Sequence, residues 1–141
     1  MAAPPREPVG LGLARTAKLV NRAFDDALVE AGGSLPTWLV LVSLQQGRPA
    51  AQRELAEAVG IEGPTLTHHL NRMEAAGLVT RTRDPANRRV HRVELTDDGR
   101  AAFSRLLGAV TAFDRQLRRG LTRADVDALD DLLARLRANV A

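Results

Sequence analysis

Residues 54–95 read ELAEAVGIEGPTLTHHLNRMEAAGLVTRTRDPANRRVHRVEL, and this stretch decides the fold. Apolar spacing predicts two short helices, over about 51–59 and about 64–76, with Leu55, Ala56 and Val59 facing inward on the first. Gly60 closes the first, residues 61–64 (IEGP) make the turn, and Gly77 stops the second. Two short helices joined by a tight turn containing glycine make a helix-turn-helix. Residues 78–83 and 90–95 are short, β-branched and roughly alternating, and residues 84–87 (DPAN) between them are turn chemistry. A β-hairpin directly behind the second helix stands where a wing would.

Upstream, Leu13, Ala17, Val20, Phe24, Ala27, Leu28 and Ala31 recur at helical spacing until Gly32 and Gly33 stop them. Leu11, Leu19 and Val29 fall off that stripe, so this helix carries more apolar surface than one face requires. Ser34, Leu35 and Pro36 restart a helix, and residues 38–44 (WLVLVSL) are apolar almost all round, the mark of a buried centre. Residues 47–49 (GRP) are expected to end it. Downstream, Thr96, Asp97 and Asp98 cap a helix with the stripe Phe103, Leu106, Val110, Phe113 and Leu117, ending near Gly120. Thr122 with Asp125 three positions on opens a last helix through Val126, Leu129, Leu133, Leu136 and Val140.

A length of 141 residues suits one domain, and an aromatic share of 3% leaves packing to Leu, Ala and Val, which favours helices over a sandwich. The absence of cysteine excludes disulfides, thiolate metal sites and thiol redox sensing. Residues 1–8 lack the apolar run of a signal peptide and read as a short disordered arm. No segment approaches the roughly 18 apolar residues that span a bilayer, so a cytoplasmic protein without a membrane partner is expected. The net charge is +3, and Lys18 is the one lysine. Where the arginines fall therefore says more than the balance does.

On a helical plot of the second helix of the motif, Leu66, Leu70 and Met73 share one face. His68 points the opposite way, flanked by Pro64, Asn71 and Arg72, with Thr65 and Thr67 at the edges. A polar, positive face of this size fits the major groove, where such side chains meet base edges and phosphates. Between Thr80 and Val93 stand five arginines (81, 83, 88, 89 and 92) against one acid, Asp84. A hairpin tip with adjacent Arg88 and Arg89 is costly as a solvated ornament but suits a narrow, electronegative minor groove. Helix and wing together favour nucleic-acid binding over a merely solvated surface.

The blocks LPTWLVL (35–41), ELAEAVG (54–60), PTLTHHLNRME (64–74), GLV (77–79), DPANRR (84–89) and LTDDG (95–99) resemble the multiple-antibiotic-resistance regulator (MarR) family, in the family's order and over nearly the whole chain. The resemblance implies a mainly α fold: a winged helix-turn-helix with a β-hairpin wing over about 36–96, inside one domain spanning 9–141. Dimerisation helices over about 10–31 and 97–140 would interlock in a homodimer, burying the surplus apolar surface. It also implies that Thr65, Thr67, His68 and Arg72, with Asn71 beside them, serve the major groove of double-stranded DNA. Asn87, Arg88 and Arg89 would serve the wing, and Asp84 would brace its arginines. The function implied is a repressor on a pseudo-palindromic operator, released by a small aromatic or phenolic ligand, with no cofactor.

The sequence departs from the family pattern at three places. His68 stands where arginine is common, so base preference does not carry over, and Asn87 replaces a common aspartate at the wing tip. His69 stands where an apolar residue is usual. It reads as a partly buried, hydrogen-bonded histidine, or in the sharper alternative as a wall of an effector pocket. Phe24 and Trp38 are core by pattern, with the same alternative.

An enzyme is the main rival class. His68 and His69 are adjacent and diverge on a helix, so they cannot form an i, i+4 metal pair, and there is no Gly-rich phosphate loop or nucleophile elbow. A second rival is a sequence-indifferent architectural DNA-binding protein, which would show no preferred operator.

Overall fold

The computed structural model describes residues 3, 5–45 and 50–141. The helix end expected at 47–49, and residues 1, 2 and 4 of the expected arm, lie outside the described residues. In chain order the elements are α1 (Val9–Glu30), α2 (Leu35–Leu44), β1 (Ala50–Ala51), α3 (Gln52–Val59), α4 (Gly63–Ala75), β2 (Val79–Arg83), β3 (His91–Leu95), α5 (Asp97–Leu117) and α6 (Arg123–Val140). The chain divides into two compact units, Met1–Val110 and Thr111–Ala141.

The first unit is organised around α2. Ser34 caps this helix, its Oγ accepting from the Thr37 amide at 3.3 Å, and Asp25 Oδ1 accepts from the Leu35 amide at 2.9 Å. Trp38, Val40, Leu41 and Leu44 are buried, as the almost wholly apolar run requires. Leu28 of α1, Leu55 of α3, Leu66, Leu70 and Met73 of α4, Val79 and Val93 of the sheet, and Ala102 and Leu106 of α5 close the core around them. Each fully buried leucine contributes roughly 1.5–3 kcal/mol. Trp38 and Phe103 stack nearly parallel with ring centroids 5.2 Å apart.

Among the described residues the sheet has three strands in the order β1-β3-β2, all antiparallel. The sequence predicts only the hairpin. The additional strand, β1, pairs Ala50 with Val93 and Ala51 with Arg92, so the helix expected from 51 starts at Gln52. In the hairpin Val79 lies opposite Leu95, Arg81 opposite Val93 and Arg83 opposite His91. Directly opposed residues share a face, so Arg81 sits on the same side as buried Val79 and Val93.

The junction of hairpin and α5 is tight. Thr96 Oγ1 donates to the Gly77 carbonyl at 2.6 Å and accepts from the Gly99 amide at 3.0 Å, capping α5. A Cβ at Gly99 would lie 2.1 Å from the Leu78 carbonyl oxygen, so only glycine allows the first turn of α5 to approach this closely.

In the second unit, Thr122 and Asp125 form the reciprocal capping box of α6: Asp125 N donates to Thr122 Oγ1 at 3.1 Å and Thr122 N to Asp125 Oδ2 at 2.8 Å. Val126, Leu133 and Leu136 are half-buried, while Leu117, Leu121, Leu129 and Leu132 are exposed. On α1 the off-stripe residues Leu11, Leu19 and Val29 are also exposed, Leu19 to 71%. Among the described residues, no single helix is long and apolar enough to cross a membrane.

Candidate nucleic-acid interface

The helix-turn-helix is α3 and α4. Gly60 takes the left-handed conformation (φ +75°) that ends α3, and the amides of Gly60 and Ile61 both donate to the Ala56 carbonyl, at 2.9 and 3.2 Å. Leu66, Leu70 and Met73 then turn inward. Their burial leaves Thr65, His68, Asn71 and Arg72 exposed on the other side.

Thr67 is half-buried, and its hydroxyl is engaged within the motif. It accepts from Gln52 Nε2 at 2.6 Å and donates to the Gly63 carbonyl at 3.0 Å, tying the start of α3 to the first turn of α4. What Thr67 has left for a ligand is chiefly its methyl group. Sequence reasoning misses Gln52, because a side-chain bond between two helices leaves no periodic signal.

The wing arginines separate into two groups. Arg81 faces α4: Nη2 donates to Asn71 Oδ1 and, at 3.0 Å, to Glu74 Oε1, while the Arg81 amide donates to Glu74 Oε2 at 3.2 Å. The hydrogen bond from the Arg81 side chain is the main reason that the Glu74 carboxyl lies below its ordinary range. Arg92 Nε donates to Asp84 Oδ2 at 2.7 Å. Asp84 Oδ1 also accepts from the amides of Ala86 (2.8 Å) and Asn87 (3.3 Å), closing the turn. The Ala86 amide first, then Arg92, hold the Asp84 carboxyl below its ordinary value.

Asn87, Arg88 and Arg89 form the exposed tip, where Asn87 Oδ1 accepts from the Arg89 amide at 3.2 Å. Arg72, Arg83, Arg88 and Arg89 make no ion pair among the described residues. A cleft of 830 Å³ lies between α3 and the wing, lined among others by Gln52, Arg53, Thr67, Arg89, His91 and Arg92. The result is a face of unneutralised cations and free donors beside a helix of groove-fitting diameter. No group of three His, Cys, Asp or Glu among the described residues could hold a metal ion.

His69 is half-buried and lines a separate groove of 350 Å³ with Ser34, Pro36, Thr37, Arg72 and Met73. Burial first, then the neighbouring His68 and Arg72, push its imidazole below the ordinary histidine value, favouring the neutral ring. Phe24 packs against the core, and Trp38 is 7% exposed and stacked on Phe103. Neither is among the residues lining the His69 groove, so the three candidate effector residues do not converge there.

Comparison with known proteins places these features in one family. A MarR family model matches residues 34–91, from the cap of α2 to the start of β3. A solved structure described as the transcriptional repressor CouR bound to a 23-mer DNA duplex is 31% identical, with a TM-score of 0.84 and 92% of each chain covered. CouR from Rhodococcus jostii bound to p-coumaroyl-CoA is 28% identical (TM-score 0.77, 90% of each chain). The structure on regulation of DNA binding of Bordetella bronchiseptica BpsR by 6-hydroxynicotinic acid is 25% identical (TM-score 0.84), with 96% of this chain and 98% of that one covered. With its winged helix-turn-helix, its cationic outer face and this agreement along nearly the whole chain, the protein belongs to the MarR family of DNA-binding transcription regulators.

Proposed function

We propose that the protein is a homodimeric repressor that places α4 in the major groove and the wing tip in the flanking minor groove of a pseudo-palindromic site. The observation that carries this reading is the exposed set Thr65, His68, Asn71 and Arg72 on one face of α4, with Arg88 and Arg89, which make no ion pair among the described residues, at the tip of the adjoining hairpin. Base-edge contacts from α4 would specify the site, and the wing arginines would add affinity without reading sequence. Asp84 supports the tip by holding Arg92 and the turn amides. The exposed apolar residues of α1 and α6 supply surface that a partner copy would cover. Half-sites would then lie about one helical turn apart, roughly 10 bp centre to centre.

Regulation of the DNA binding of BpsR by 6-hydroxynicotinic acid supports release by a small aromatic acid. In this chain the His69 groove is the site we assign to it: a neutral imidazole and the Arg72 guanidinium border the same space and could take a hydroxyl and a carboxylate. Arg72 would then serve both ligand and DNA, so that the two would compete for the same side chain.

Selection of duplexes from a random pool, followed by footprinting on the selected sequence, tests the DNA reading. The expected result is a symmetric protected site bound by a dimer in sedimentation. A monomer at micromolar concentration, or no preferred sequence, contradicts it, the latter favouring an architectural protein. Salicylate-like acids should lower affinity for the selected duplex, and His69→Leu should remove that response with DNA affinity nearly intact.

A further inference from the structure

The hydrogen bonds of Arg81 bear on which base Asn71 can read. We propose that Arg81 is a positioning residue that takes up the carbonyl oxygen of Asn71, so that α4 presents the Asn71 amide hydrogens to a base edge that only accepts, guanine foremost, and discriminates against adenine. The inference rests on the reading above that α4 lies in the major groove.

Three observations carry it. Arg81 is anchored independently of Asn71, because Glu74 holds its Nη2 with one oxygen and its backbone amide with the other. Its side chain is 17% exposed and lies on the hairpin face that carries Val79 and Val93, so the guanidinium stays against α4. A guanidinium can only donate; the group of Asn71 that meets it must therefore be the oxygen, and the planar amide directs Nδ2 elsewhere. Among the described residues Nδ2 makes no hydrogen bond, and Asn71 is exposed.

Asparagine reads adenine by a bidentate pair: its oxygen accepts from N6 while its nitrogen donates to N7. With Oδ1 directed at Arg81, that pair loses its accepting half. The positive charge behind the amide also repels the N6 hydrogens and attracts the O6 and N7 oxygen and nitrogen of guanine. Donor-only Asn71 and donor-only Arg72, adjacent on α4, then favour the same kind of edge.

Selection from a pool of duplexes with a randomised centre tests this in wild type, Asn71→Ala, Arg81→Met and, as a milder change, Arg81→Lys. Wild type should enrich guanine at a position whose preference disappears in Asn71→Ala. Arg81→Met removes the donor and frees the amide to turn, so the guanine-to-adenine ratio at that position should fall about tenfold. Arg81→Lys, which donates from a single flexible point, should fall between them and serves alone if the methionine variant does not fold by circular dichroism. An unchanged ratio in folded Arg81 variants, or adenine at that position in wild type, overturns the proposal. If His68→Ala and Arg72→Ala still alter base preference in that case, the groove reading stands and only the role of Arg81 falls. If no substitution on α4 alters base preference, the groove reading itself falls, and the proposal with it.

Discussion

The root and the tip of one hairpin use the same residue type for opposite ends. At the root, Arg81 is held by Asn71 and Glu74 beside buried Val79 and Val93, and its charge is committed to fixing α4 against the sheet. At the tip, Arg88 and Arg89 are exposed and without ion pairs among the described residues. Arg92 is closer to the root in kind, since Asp84 holds it. Counting five wing arginines therefore overstates the charge that faces outward. An arginine binds nucleic acid when its neighbours leave it unneutralised, and strand alternation together with local acids decides which ones those are.

The contrast can be broken first at the root by its tightest packing. Gly99→Ala forces a Cβ towards the Leu78 carbonyl and should cost about 3 kcal/mol, read as a fall in the denaturant midpoint. The matched change at the tip, Arg88→Ala, should leave the stability within about 0.5 kcal/mol of wild type. Equal losses at the two places would remove the distinction.

A second expectation concerns reading against anchoring. Arg72→Ala or His68→Ala should weaken binding to the selected duplex by about 1–3 kcal/mol more than to random DNA, measured by fluorescence anisotropy with both duplexes. Equal weakening on both would reassign these residues to phosphate contacts.

The smallest effect should appear on acidification. The Asp84 carboxyl is lower in the folded chain than its ordinary value of 3.8, so its stabilising bonds are complete above that value and are lost as pH falls through the lower, folded one. The Arg92 Nε proton and the Ala86 amide should therefore keep their NMR shifts down to the ordinary aspartate range and move together only below it. Asp84→Asn should abolish that step. Movement near neutral pH would show that another group governs the turn.

Much of this was legible in the sequence because burial imposes period. The stripe of Leu66, Leu70 and Met73 gives both the inner face of α4 and, by subtraction, its outer one. Gly60, Thr96 and the Thr122–Asp125 pair announce their turn and caps by residue type. Two alanines announce nothing: β1 exists because β3, far along the chain, offers Val93 and Arg92 as partners. The Trp38–Phe103 stack and the Gln52–Thr67 bond are likewise products of tertiary packing between distant segments. Arg81 did leave a signal, since residues two apart in a strand share a face and Val79 is plainly apolar.

If the exposed arginines of the tip meet DNA while the committed ones of the root hold the fold, the difference appears in salt dependence. The slope of log K against log salt should be measured on one duplex for wild type and for the Arg88→Ala, Arg89→Ala double variant. The slope should be shallower in the double variant, by about 0.9 for each arginine removed, with the unfolding midpoint unchanged. A slope equal to that of wild type would place the wing tip off the DNA and contradict this division of roles.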